Sequence, residues 1–194
     1  GAADLAEVER ANDWLAGRPV AFLHCVSAYP TPEDSAGLAG VGAIGEATGR
    51  PVGYSDHTAE ETTGGLAIAA GACVLEKHLT WSRSARGPDH LASMEPEGLR
   101  SYIDFVRRAH AALGRGGKSI TAIERDVRRV ARQSIRAARD LDAGTVVASM
   151  DLVVKRPGDG MEPWRMSELV GRRLRRDVPS DRPIRLEDLE EIGS

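Results

Sequence analysis

Two histidines carry the first chemical signal in this chain. His57 and His78 each close a short apolar run, Pro51–His57 (PVGYSDH) and Ala72–His78 (ACVLEKH), and lie 21 residues apart. That separation is one helix plus one strand with their loops. In a parallel sheet it puts both imidazoles at C-terminal strand ends, roughly 5 Å apart if the strands are neighbours. This edge is where α/β proteins place their sites. Side chains alternate along a strand, so Ser55 shares a face with His57, and Glu76 with His78. A hydroxyl, two imidazoles and a carboxylate at one mouth suit a divalent metal, and mixed nitrogen and oxygen donors suit Mn, Fe or Zn better than Ca. Two histidines fall short of a complete ligand set. The same spacing also fits histidines that are merely hydrogen-bonded at strand ends.

Other residues have weaker claims. Ser27 and Tyr29 follow the apolar run Val20–Val26 (VAFLHCV), which places them at the same edge. Tyr29 could line a pocket or cover the Pro30 turn. His24 interrupts that run and reads as a satisfied core histidine. Cys25 lacks an obvious activating neighbour, which argues against a nucleophile. In the Gly87-Pro88-Asp89-His90 loop, Asp89 could orient a hydroxyl, although a solvated turn acid is the simpler reading of the residues alone. His90 has the same plain explanation. Arg156, in Lys155-Arg156-Pro157-Gly158, precedes a rigid turn and reads on physics alone as solvated. The glycines of Gly37–Gly42 lie in a helix-like stretch and make no phosphate loop.

The elements that position these residues alternate. An opening helix carries a possible Asp4/Glu7 capping box and sets Leu5, Val8 and Leu15 on one face. The three apolar runs read as buried strands. Helices are expected over Glu33–Ala47 and Ala59–Ala70. After a polar loop from Thr80 to Met94, Pro96 opens an amphipathic helix with Leu99, Tyr102, Ile103, Val106 and Leu113 on its apolar face. Strands alternating with helices mean βαβ units and a parallel sheet, either doubly wound or part of a (β/α)8 barrel. Arg115–Lys118 forms a joint. Thr121–Arg139, with six arginines, reads as a solvated linker rather than a nucleic-acid patch. Short strands are expected at Ser134–Ala137, Thr145–Ala148 and Leu152–Lys155, and a terminal helix or turn at Leu186–Glu191. The second domain is thus small and mostly β.

Composition narrows the class. The 194 residues carry 26 Lys+Arg and 29 Asp+Glu, a net charge of −3, without the basic excess of a nucleic-acid binder. No apolar run approaches the ~20 residues of a bilayer span. Without a leader pattern, the expected setting is cytoplasmic. Cys25 and Cys73 lie in apolar runs and are expected to be buried thiols. Only eight aromatic residues leave a core of Ala, Val, Leu and Ile. The opening Gly1, in place of Met, suggests a fragment or a processed piece.

Five blocks in this order resemble one family. They are Leu23–Pro32 (LHCVSAYPTP), Gly53–Thr58 (GYSDHT), Leu75–Thr80 (LEKHLT), Gly87–His90 (GPDH) and Lys155–Gly158 (KRPG). Together they resemble the sialic acid synthases and their legionaminate, pseudaminate and spore-coat relatives. The resemblance implies an α/β fold: the C-terminal part of a (β/α)8 TIM barrel over residues 1–118, then a linker and a small antifreeze-like (SAF) domain over 119–194. It implies a transferase that condenses phosphoenolpyruvate with the aldehyde of an N-acetylmannosamine-like sugar, releasing phosphate. His57 and His78 would be the ligands of a divalent metal, Mn2+ or Mg2+, acting as a Lewis acid on the aldehyde oxygen. Ser27 and Ser55 would touch phosphoenolpyruvate, although some members carry Asn where Ser27 stands. Tyr29 and Asp89 would hold the sugar, Glu76 would share the mouth, and Arg156 would bind the acyl group. A domain-swapped homodimer is implied, with neither nucleic acid nor membrane as partner. Val130–Ser134 lacks the aromatic that some relatives place near the sugar. By the same resemblance, the lysines that grip phosphoenolpyruvate would belong to earlier strands outside this sequence. Two other readings remain: a non-catalytic fragment or assembly module, and another metal-dependent barrel aldolase or hydrolase.

Overall fold

The computed structural model of the chain describes residues 1–114 and 116–190, in two compact units, Gly1–Gly116 and Gly117–Ser194. In the first unit, helix α1 (Leu5–Trp14) starts on the expected capping box: Asp4 Oδ1 accepts from the Glu7 amide at 2.9 Å, and Glu7 Oε2 accepts from the Asp4 amide at 2.9 Å. Strands β1 (Phe22–Cys25), β2 (Val52–Asp56) and β3 (Leu75–Lys77) form one parallel sheet in the order β1-β2-β3. Helices α2 (Ala39–Thr48) and α3 (Thr63–Ala69) make the crossovers, and α4 (Pro96–Leu113) follows β3. Val52 and Tyr54 of β2 pack with Val41, Ile44, Ala67 and Ala72 into the core. By alternation, Gly53 and Ser55 point to the other face.

The helix expected over Glu33–Ala47 is broken. A 3-10 turn at Glu33–Ser35 and α2 are separated at Gly37, whose φ of +60° lies in the left-handed region that only glycine enters freely. α3 starts at Thr63, four residues later than expected, and its Gly64 lies against Tyr102 of α4. A Cβ on Gly64 would meet that ring at 2.2 Å, so two helices approach closely where a side chain is missing. α4 spans the expected residues, with Tyr102 buried on its inner face.

The second unit has its own core of Ile135, Leu141, Leu152, Leu169, Leu174, Ile184 and Leu189, among others. Strands β4 (Ser134–Ala137) and β5 (Leu152–Lys155) have the expected bounds, and they pair antiparallel. Thr145–Ala148 is not a regular strand: it makes one bridge, Val146 to Arg173, flanked by hydrogen bonds from Leu174 N–H to the Thr145 carbonyl and from Val147 N–H to the Arg172 carbonyl. The Thr121–Arg139 stretch is not a linker throughout. It holds a 3-10 turn at Ala122–Glu124, helix α5 (Arg125–Ala131) and all of β4, where Arg136 is buried and pairs with Asp159. At the end, Leu186–Asp188 is a 3-10 turn, while Glu191 and Arg115 lie outside the described residues. Among the described residues no helix is long and apolar enough to cross a membrane.

Candidate functional site

The register of the sheet builds the mouth. Cys25 of β1 stands opposite Ser55 of β2, and Ser55 stands opposite Glu76 of β3. Two residues further on, His57 and His78 leave the strand ends side by side. Their ring centroids are 5.2 Å apart, edge to face. Both backbones are pinned: Thr31 N–H donates to the His57 carbonyl at 2.8 Å, and Met94 N–H donates to the His78 carbonyl at 2.9 Å.

The two imidazoles are not equivalent. His57 is buried, with its Nδ1 at 2.9 Å from the Val26 carbonyl. A carbonyl only accepts, so Nδ1 carries the proton and the Nε2 lone pair is left to point away from it. His78 is half-buried, and among the described residues neither of its nitrogens has a hydrogen-bond partner. The thiol of Cys25 lies 3.6 Å from His57 Nδ1. The sequence reading saw no neighbour for this thiol. There is one, but its near nitrogen is already protonated and cannot act as a base.

Tyr29 joins this pair. Its ring centroid is 4.2 Å from that of His57 and 6.0 Å from that of His78, and about half of the side chain remains exposed. Ser55 Oγ donates to Glu76 Oε1 at 2.7 Å, so the buried hydroxyl and the exposed carboxylate form one unit beside the histidines. Ser27 is exposed just beyond β1. Asp89 is exposed, and among the described residues its carboxylate makes no hydrogen bond. Only its carbonyl is used, accepting from Ser93 Oγ at 2.6 Å. The structure therefore brings together His57, His78, Tyr29, Ser55 and Glu76, and does not join Asp89 to them. Arg156 lies in the second unit, exposed, ahead of a cis Pro157.

The plainer assignments sort themselves. His24 Nε2 lies 3.0 Å from the Ala36 carbonyl and its ring stacks on Tyr54, as befits a satisfied core histidine. His90 is not a solvated turn residue. Its Nδ1 is 2.8 Å from Thr80 Oγ1, and Trp81 packs on its ring, which closes the loop after β3. Cys73 is exposed, contrary to expectation, because β3 starts two residues after it; Cys25 is half-buried.

Sequence reasoning missed the pair behind the mouth. Asp56 and Lys77 immediately precede His57 and His78 and face the helix side of the sheet, and almost no part of either side chain is exposed. Lys77 Nζ lies 3.3 Å from Asp56 Oδ1 and donates to the Thr58 carbonyl, while Asp56 Oδ1 accepts from the Thr58 amide at 2.8 Å. The backbone N–H and carbonyl of Thr58, the residue after His57, are thereby both held. Burial holds the Lys77 ammonium below the ordinary lysine range, and the Asp56 charge opposes that shift. Burial, with the Asp56 charge behind it, pushes the phenols of Tyr54 and Tyr102 upward. A charged residue within an otherwise apolar run was the available signal.

Comparison with known proteins places this arrangement. A family model described as the NeuB family matches residues 1–118, and one described as the SAF domain matches residues 132–190. The N,N'-diacetyllegionaminic acid synthase of Legionella pneumophila is 37% identical over 98% of the chain and 55% of its own length. Among solved structures, a spore coat polysaccharide biosynthesis protein E from Chromobacterium violaceum superposes with a TM-score of 0.79, at 26% identity over 98% of the chain and 59% of its own. An N-acetylneuraminic acid synthetase from Leptospira borgpetersenii, solved with citrate, gives 0.62, at 34% identity over 66% of the chain and 45% of its own. The chain spans a little over half the length of these curated relatives. Its three parallel βα units are part of a (β/α)8 barrel, a SAF domain follows them, and the chain belongs to the NeuB family.

Proposed function

We propose that this chain supplies the imidazole mouth and the SAF domain of a synthase that condenses phosphoenolpyruvate with an N-acetylmannosamine-like aldehyde. In that reaction C3 of phosphoenolpyruvate bonds to the aldehyde carbon. Water adds at C2 and phosphate leaves, giving a 2-keto sugar acid. The observation that carries the reading is the pair of strand-end imidazoles, 5.2 Å between centroids, with the His57 tautomer fixed by Val26. The relatives named as legionaminic and pseudaminic acid synthases support the sugar-acid class. The transferase chemistry, a cytoplasmic setting and the domain-swapped homodimer belong to the same proposal.

A divalent ion, Mn2+ or Mg2+, fits this donor set as an open site. His57 and His78 would hold it through their unprotonated nitrogens. Among the described residues no cluster of three or more His, Cys, Asp or Glu surrounds it, so water and substrate oxygens would complete the shell. The ion would supply Lewis acidity at the aldehyde oxygen. The protein's own groups do the rest: Tyr29 offers a half-exposed ring wall for the sugar, and Ser55, turned toward Glu76, presents a polar floor for phosphoenolpyruvate together with Ser27. Asp89 would orient a sugar hydroxyl and Arg156 the acyl group.

The test is a Mn2+ titration of the 194-residue chain followed by histidine ring resonances. The His57 and His78 signals should broaden together, and His57→Ala should weaken binding by more than about 100-fold, beyond the usual loss from second-layer changes. Broadening of His24, His90 or His110 alone would refute the site. Phosphate release, in a protein joining this chain to the remainder of a barrel, should require both the ion and an amino-sugar aldehyde. A second reading, an assembly module without activity of its own, is favoured by β1 and β3, which each have one strand neighbour among the described residues. It predicts metal binding without phosphate release by the chain alone.

A further inference from the structure

Among the described residues of the second unit, six arginines reach a carboxylate, Arg156, Arg172, Arg175 and Arg185 reach none and stand apart, and four more without one stand together on α5. Arg136, Arg139, Arg165, Arg173, Arg176 and Arg182 each reach a carboxylate within 4.0 Å. Arg125, Arg128, Arg129 and Arg132 reach none among the described residues, and no side-chain hydrogen bond is formed by any of them. These four recur at spacings of three, four and seven, so they share one face of α5 and its C-terminal cap. They line a cavity of about 230 Å³, closed on its far side by the turn at Gly158–Gly160. Gly158 N–H donates to the Arg129 carbonyl at 3.0 Å, which ties that turn to the helix. Glu162 is the one acid on the rim, and it leans toward Arg165 at 3.9 Å. The other acids of the segment do not offset the cluster. The Glu124 carboxylate is taken up by Thr121, which holds it below the ordinary range, and Asp126 forms no ion pair.

Four like charges on two helical turns repel one another. The fold nevertheless brings them together beside one cavity, where an anion could bridge them. We propose that this groove binds a small phosphate-class dianion, either inorganic phosphate or the phosphate of a sugar monoester. Guanidinium forks match tetrahedral phosphate oxygens, and several can share one group, whereas a single carboxylate saturates with one or two forks. The cavity has room for a phosphate with a sugar-sized body attached. The site uses only residues of the second unit.

The experiment follows arginine Nε–H resonances of the 194-residue chain at constant ionic strength, with inorganic phosphate in one arm and glucose 6-phosphate in the other. Saturable shifts at Arg125, Arg128, Arg129 and Arg132 are expected, weakened at least about tenfold by R128Q/R132Q, as the loss of charged hydrogen bonds predicts. The control Arg175→Gln, an exposed arginine outside the groove, should leave binding unchanged. Tighter binding of glucose 6-phosphate would assign a sugar monoester, and equal binding would assign the phosphate group alone. Shifts that never saturate, that spread equally to Arg172 and Arg175, or that survive R128Q/R132Q would overturn the proposal. So would a single-stranded DNA that bound the groove far more tightly than either probe, because the stripe would then be a polyanion surface. All four side chains are exposed, so their substitution leaves the core of Ile135, Leu169 and Leu174 intact.

Discussion

The two units hold their charges in opposite ways. The first buries one ion pair, Asp56–Lys77, between sheet and helix, and leaves its remaining pairs, such as Arg107–Asp104, at the surface. The second has one short two-stranded ladder and ties many irregular segments together with arginines that reach inward to sunken carboxylates. Asp151 and Asp188 are almost wholly buried, and Arg139, Arg176 and Arg182 cover them from outside. Regular strands let the first unit place chemistry at a sheet edge with a single clamp behind it. Where regular strands are few, backbone groups need side-chain partners, and the second unit finds them in buried carboxylates: Ala148 N–H and Arg185 N–H donate to Asp151 and Asp188.

Substitutions can break this contrast. The largest effect is expected for Asp56→Ala. It strands the Lys77 charge in a buried place, at a cost of about 3–5 kcal/mol. Hydrogen exchange followed by mass spectrometry should show β2 and β3 losing protection while β4 and β5 keep theirs; equal loss in both units would show that they do not unfold separately. Leu174→Ala comes next, at about 2–5 kcal/mol, because Leu174 is fully buried in the second core. Its signature is the mirror image, with exchange accelerating in residues 134–190 and not around His57. The smallest is Asp151→Asn, about 1–2 kcal/mol near neutral pH. The Ala148 amide, with Arg139 assisting against the opposing effect of burial, holds the Asp151 carboxyl below its ordinary value of 3.8. Its contribution is therefore fully present above that value and is lost as the pH falls through the lowered one. Thermal melts across this acid range should be flatter for Asp151→Asn than for the unaltered chain. A parallel pair of curves would separate Asp151 from the acid response.

Much of this organisation could be read from the residues. The apolar runs and the spacing of His57 and His78 gave the strand ends, because a parallel βα repeat leaves little freedom in length. The α4 pattern was plain because Pro96 and Gly114 bound a regular apolar stripe. Gly37 was harder: a glycine in an alanine-rich stretch is compatible with a helix until the backbone turns left-handed. The arginine run misled for a related reason. Six like residues look solvated as a group, yet β4 is buried on both faces, and Arg136, opposite the core residues Ile135 and Ala137, is covered where it meets Asp159 and the Asp181 carbonyl. Asp56 and Lys77 hid inside the very motifs that carry the histidines, where neighbouring positions face opposite sides. The Asp89 loop is shaped by local turn bonds to its carbonyl, a backbone feature that its motif does not spell out.

The tether on His57 has a consequence for how this site could vary. The atom that fixes the ring is the peptide oxygen of position 26, and every amino acid brings the same oxygen. Side-chain identity there is free to drift while the imidazole keeps its orientation. A shift in the path of the chain just past β1 would turn the ring without altering one functional side chain. The histidine on the second strand is in this sense governed by the first.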